Sequence, residues 1–304
     1  MLFLKSLKSC MERKTFIKML GISGLAAGVS KLSSLEKWTE DLTPTAQMPV
    51  LFLGHGSPMN AIEENEFVAG FRKISSEIPQ PKAILCISAH WYTRGTMVTA
   101  MDIPKTIHDF GGFPDALYEV QYPAPGSPVL AKETAEILAP IVVAQDENWG
   151  LDHGAWSVIK HLYPKANVPV IQMSIDYTQP ASYHFDLAKR LNSLRQKGIL
   201  IVGSGNIVHN LGLVDWKNLN KTDYGFDWAV EARSKINNWM LDGDFQPIID
   251  YTKQGKSIQL AAPSPDHYLP LVYTLGLKTN NDKIALFNDK LLAGSLSMTS
   301  VYIG

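Results

Sequence analysis

The stretch "VLFLGHGSPMN", residues 50–60, decides how this chain is read. A short, continuous apolar run stops abruptly at His55, which is held between Gly54 and Gly56. Such a run predicts a strand buried on both faces. The two glycines let the backbone turn tightly and approach its neighbours closely. Those are the needs of a side chain delivered from a strand end into a crowded pocket. A lone histidine also has an ordinary reading as a hydrogen-bonded structural residue, so the case for His55 rests on others like it.

Working outward, the same pattern returns. "KAILCISAHW" (82–91), "GTMVTAM" (95–101), "VPVIQMSID" (168–176), "ILIVGSG" (199–205) and the alternating "SLSMTSVYIG" (295–304) read as strands. "EENEFVAGFRKISSEI" (63–78), "SPVLAKETAEILAPI" (127–141) and "AWSVIKHLY" (155–163) read as helices. So do "ASYHFDLAKRLNSLRQKG" (181–198), "FDWAVEARSKINNWML" (226–241) and "HYLPLVYTLGL" (267–277). Ser127 followed by Pro128 suits a capped helix start, and Gly198 suits a helix end. Strands alternating with helices predict an α/β fold, a three-layer α/β/α sandwich. Sites in open α/β sheets form at the carboxyl ends of strands. His55, His90 and His209 all fall there. His267 is expected to open its helix, and His153 lies in "WGLDHGAW" (149–156) among glycines and tryptophans.

Composition narrows the chemistry. The 304 residues are 45 % hydrophobic and 19 % charged, which suits one large domain with a sizeable core. A formal net charge of −1 argues against nucleic acid or an anionic membrane surface as the partner. The two cysteines, Cys10 and Cys86, offer neither a disulfide framework nor a thiolate metal site. With eight histidines, a metal would be held by imidazole and carboxylate, which suits Zn, Fe(II), Cu or Ni without choosing among them. No HExxH, Walker loop or Gly-x-Ser-x-Gly elbow occurs, and "GSGNIVHN" (203–210) lacks the third glycine of a dinucleotide fingerprint.

Residues 1–45 differ from the rest, and a single domain is expected over 46–304. "MERKTFIKMLGISGLAAGVS" (11–30) places Arg13, Lys14 and Lys18 before a Gly/Ala/Ser-rich stretch too short and weak to span a membrane. It has the layout of an export leader, and "ERKTFIK" resembles a twin-arginine motif with lysine in the second position. An amphipathic N-terminal helix is the plainer alternative. The location is accordingly read as cytoplasmic or periplasmic.

The motifs "LFLGHGSPMN", "ISAHWYTRGTMVTA", "TIHDFGGFPDALYEVQYPAPGSP", "WGLDHGAW", "SGNIVHNL" and "HYLPLVYTLG" together resemble the class III extradiol ring-cleavage dioxygenases, the LigB-type superfamily. Within it they look most like the 4,5-DOPA extradiol dioxygenase branch. The likeness runs in order from about Met48 to Gly304 and leaves the leader outside. It implies a LigB-like sandwich with a mixed central sheet and O2-dependent ring opening of a catechol, such as DOPA, to a muconate semialdehyde. It also implies one divalent metal held by His55, His90 and His267. His209 is either a fourth ligand or the acid/base beside the metal. Fe(II) is expected for catalysis, and Zn(II) can occupy such a site.

The chemistry accounts for these residue types. A catechol binding through both oxygens, together with O2, needs a metal with few protein ligands and several open positions. The facial triad of non-haem iron usually includes a carboxylate; here the clear candidates are all histidine, with Asp152, Asp266 and Glu63 merely near them in sequence. Deprotonating the catechol and cleaving the O–O bond need an acid/base near neutrality, for which His209 and His153 are the candidates. His153 also reads as a turn histidine stacked between Trp149 and Trp156. The Gly-, Pro- and aromatic-rich "HDFGGFPDALYEVQYPAPG" (108–126) reads as a long loop of the kind that forms substrate walls. His108, Phe113 and Tyr118, with Phe110, are its candidate substrate-binding residues; core packing of these rings is the alternative. His161 and His184 sit in helix patterns and read as structural or exposed. Two rival functions fit the same fold: a zinc metallohydrolase, and a Memo-like metal- or peptide-binding protein without catalysis.

Overall fold

A computed structural model describes residues 47–219 and 221–304. The expected leader, residues 1–45, lies outside the described residues. The strands are β1 (Val50–Gly54), β2 (Ala83–Thr93), β3 (Thr96–Thr99), β4 (Val143–Asp146) and β5 (Val170–Asp176). They continue with β6 (Ile199–Gly205), β7 (Ile284–Phe287), β8 (Leu291–Leu292), β9 (Leu296–Ser297) and β10 (Ser300–Ile303). The principal helices are α1 (Glu66–Glu77), α2 (Pro128–Leu138), α3 (His153–Leu162), α4 (Ala181–Arg190), α5 (Asp227–Asp242) and α6 (Leu269–Gly276).

Eight strands form one sheet in the order β4-β3-β5-β2-β6-β1-β10-β7. Its centre, β5-β2-β6-β1, is parallel. Antiparallel pairings, β3 with β5 on one side and β1 with β10 and β10 with β7 on the other, make the sheet mixed. The central strands are continuous apolar runs because both faces are covered. Successive residues point to opposite faces. Leu51, Leu53, Cys86 and Val202 join a core with Phe71 of α1 and Trp156 and Ile159 of α3. Gly203, on the opposite face, approaches α6 so closely that a Cβ would stand 2.6 Å from the Pro270 carbonyl oxygen. Helices on both faces complete the three layers.

Register brings the site together. Gly54 pairs with Gly205 and Ser88 with Ser204, so β1, β2 and β6 end at one edge of the sheet. A buried hub ties the chain on the far side of His55 to the rest. Arg195, fully buried, donates to the carbonyls of Met48 and Leu277 and pairs with Asp282 at 2.8 Å.

Local chemistry sets the helix starts. Ser127 accepts from Leu130 N with Pro128 in the first turn, Asn65 accepts from Phe67 N and Val68 N, and Asp152 accepts from Ala155 N. The helix over 181–198 is two pieces, α4 and a short turn at Asn192–Arg195, separated at Leu191. His267 does not open α6; it lies in the turn before it, and the helix begins at Leu269. The edge strands β4 and β7 escaped the sequence reading because "VAQD" and "IALF" are short and only partly buried.

Candidate metal centre

Five histidines converge at the carboxyl edge of the sheet. His55 follows β1 and His90 lies toward the end of β2. His153 is the first residue of α3, fixed by the Asp152 cap. His209 follows β6, its N–H donating to the Ala261 carbonyl at 2.8 Å. His267 precedes α6, and its carbonyl accepts from Asn206 N at 2.9 Å. Gly205 permits that contact, since a Cβ there would collide with the His267 oxygen.

The rings are close. His55 and His90 centroids are 5.1 Å apart, and His267 stands 5.2 Å from His55 and 5.0 Å from His90. His153 is 3.9 Å from His90, and His209 lies flat on His267 at 3.6 Å. His55, His90 and His153 each offer a ring nitrogen within 4.8 Å of the others, and such a group can hold a metal ion. The family resemblance names His267 where this trio has His153.

Electrostatics disfavours the charged form of three of the rings. Burial, then the neighbouring His90, holds the His55 imidazole well below its ordinary value. Burial, then His153 and His267, does the same to His90. Burial, then His267, brings His209 down to about 3. Neutral imidazoles carry the lone pairs a metal needs.

Their outer nitrogens are anchored. Ser204 Oγ donates to the Gly154 carbonyl and so accepts from His55 Nδ1 at 3.0 Å. His267 Nδ1 meets Asp266 Oδ2 at 2.7 Å. Burial raises the Asp266 carboxyl, but the His267 hydrogen bond and charge outweigh it, and the net shift is downward. The Nδ1 atoms of His90 and His153 both face Asp109. A proton on Nδ1 of His55 or His267 would leave that ring's Nε2 lone pair free for a metal. His55 Nε2 and His90 Nε2 face each other at 3.3 Å. With ring nitrogens of His55, His90 and His153 within 4.8 Å of one another, the residues fit a metal. Nδ1 anchoring by carboxylate or hydroxyl is how metal-bound histidines are commonly oriented.

The acidic neighbours have other work. Asp152 is fully buried and accepts from Ser88 Oγ at 2.6 Å, Gln172 Nε2 at 2.7 Å and Ala155 N at 3.1 Å. Glu63 is exposed. Trp149 stacks on Trp91 at 5.8 Å, so the turn reading of His153, stacked between Trp149 and Trp156, does not hold.

The loop over 108–126 supplies the aromatic wall. Phe110 meets His153 edge-on at 5.4 Å. Behind it, Phe113 and Tyr118 pack on Phe110 at 5.4 and 5.1 Å. His108 contacts Phe110 at 5.8 Å and donates Nε2–H to the Val120 carbonyl at 2.9 Å. Of the loop rings, Phe110 is the one that touches the histidine cluster. His161 and His184 are structural as expected, bonded to the Asn60 carbonyl and the Tyr273 hydroxyl. Sequence reasoning missed Asp109 and Ser204, although each stands inside a motif already singled out: "TIHDFGGFP" and "SGNIVHNL".

Fold and site together define an α/β/α protein whose sheet edge gathers histidines able to hold a metal ion. Residues 49–293 match the family described as the catalytic LigB subunit of aromatic ring-opening dioxygenase, and the chain belongs to that family. It is similar to the 4,5-DOPA dioxygenase extradiol of Escherichia coli (strain K12), at 47 % identity over 262 residues, 86 % of this chain and 96 % of the relative. It is similar to the enzyme of the same name from Beta vulgaris, at 36 % identity over 82 % of this chain and 94 % of the relative. A crystal structure of an uncharacterized Escherichia coli K12 protein superposes with a TM-score of 0.73 and 41 % identity, covering 85 % of this chain and all of that one. The protein is therefore an aromatic ring-opening dioxygenase rather than a hydrolase or a non-catalytic binding module.

Proposed function

We propose that the enzyme opens the ring of a catechol by extradiol cleavage, using Fe(II) held by His55, His90 and His267, with DOPA among its substrates. The observation that carries this reading is the convergence of His55, His90 and His267 at the carboxyl edge of the sheet, with ring centroids 5.1, 5.2 and 5.0 Å apart. When bound, Fe(II) supplies open positions for the catechol oxygens and O2. His209 and His153 handle protons at their ring nitrogens: one takes a catechol proton, and one supplies an acid for ring opening. Burial by Phe110 and its neighbours excludes water and orients the planar substrate. The names of the Escherichia coli and Beta vulgaris relatives support DOPA as a substrate.

A second ligand arrangement has its own support, because His153 rather than His267 shares the tight trio with His55 and His90. Metal content of His153→Ala and His267→Ala separates the two; the first reading expects loss from His267→Ala. The reaction is tested by supplying Fe(II)-loaded protein with air and a panel of catechols. A yellow muconate semialdehyde is expected with DOPA or a close analogue. No coloured product with any catechol would count against the reading.

A further inference from the structure

Asp109 is placed where one carboxylate reaches two of the converging histidines. Its Oδ1 lies 3.0 Å from His153 Nδ1 and accepts the His153 backbone N–H at 2.8 Å. Its Oδ2 lies 3.5 Å from His90 Nδ1. The side chain is largely covered, 19 % exposed. Each oxygen thus lies beside a different imidazole, and the two rings stand 3.9 Å apart with planes at 48°.

The carboxylate is carried on a segment anchored on one side. Ile107, two residues earlier, donates its N–H to the Leu151 carbonyl at 2.7 Å and accepts from Trp156 Nε1 at 2.8 Å. Phe110, the next residue, packs edge-on against His153. Beyond it the chain opens out: a Cβ on Gly111 or Gly112 would meet nothing within 4 Å. Consecutive residues therefore grip His153 by its polar edge and its apolar face.

We propose that Asp109 is a positioning residue that fixes His90 and His153 together, so that the aromatic wall and the metal centre are held by one short segment. The proposal rests on the metal-centre reading above. Its physical basis is the tautomer: a carboxylate at Nδ1 keeps the proton there and turns Nε2 toward the centre. Without it, both rings are free to rotate and to exchange tautomers.

The test compares Asp109→Asn and Asp109→Ala with Asp115→Asn, an exposed carboxylate farther along the same loop. Zn(II) affinity is measured by chelator competition, and the Co(II) complex by its visible spectrum. Asp109→Ala is expected to weaken binding by about 10–100-fold and to shift the Co(II) bands. Asp109→Asn is expected to lose less, because its amide oxygen still accepts from the His153 N–H; it carries the test if the alanine variant fails to fold. With Fe(II) and a catechol, kcat is expected to fall more than KM rises. Wild-type affinity and an unshifted spectrum in both Asp109 variants would overturn the proposal, as would an equal loss in Asp115→Asn. The titrations need no turnover. Failure to find ring opening in the wild-type enzyme would therefore sink the catalytic reading while leaving the role of Asp109 tested.

Discussion

The His209 ring lies flat on the His267 ring, centroids 3.6 Å apart and planes 6° from parallel. The lone pair of an imidazole lies in its ring plane, and good metal bonds of about 2.0–2.1 Å follow that direction. A metal in the plane of one of these rings cannot lie in the plane of the other. In the proposed reading His267, anchored by Asp266, is the ligand, and His209 moves protons. His209→Ala is accordingly expected to keep its metal by elemental analysis while kcat falls by about 10²–10⁴-fold. Loss of the metal from this variant would instead make His209 a ligand.

Phe110 joins the loop wall to His153, with Phe113 and Tyr118 behind it. Truncating it removes a ring contact worth about 0.5–1.5 kcal/mol, so Phe110→Ala should raise the catechol KM by roughly fivefold. Metal content should not change. Steady-state kinetics beside metal analysis checks both halves, and an unchanged KM would place the substrate elsewhere.

His55 Nε2 and His90 Nε2 stand 3.3 Å apart, close enough to share an ion. Metal at a hundredfold excess over its Kd adds about 2.7 kcal/mol of stability to the native state. For a domain of this size that corresponds to a rise in Tm of roughly 5–10 °C. Calorimetry of chelator-treated protein with and without Zn(II) measures it. An unchanged Tm would mean that the imidazoles do not share an ion.

The Arg195–Asp282 pair is buried and supports the start of β1. Burial alone pushes the Asp282 carboxyl up, but the Arg195 hydrogen bond and the bonds from Thr279 bring it down to about 2. A lowered value means stability that is present above the ordinary carboxylate value of about 3.9 and is lost as pH falls through about 2. Asp282→Asn is expected to cost about 3–5 kcal/mol at pH 7. It should also flatten the loss of stability between about pH 4 and pH 2. Urea unfolding across that range reads both effects, and an acid limb identical to wild type would contradict them.

The sheet centre was legible because β1, β2, β5 and β6 are uninterrupted apolar runs, and their ends announced His55, His90 and His209. The edge strands β4 and β7 were not, since half-buried four-residue segments carry no clear period. His153 was visible as a residue but not as a helix start, because Asp152 hides its capping role behind its proximity to the site. Asp109 was passed over beside His108. Nothing in local spacing shows that a loop carboxylate folds back over α3 to meet two rings from different elements.

The most direct measurement is oxygen uptake by protein reconstituted anaerobically with Fe(II), then given air and DOPA or a small catechol. One O2 is expected to be consumed for each catechol opened, with yellow product appearing at the same rate and far less in the Zn(II)-loaded protein. A fully Fe(II)-loaded enzyme that consumes no O2 with any catechol would contradict it.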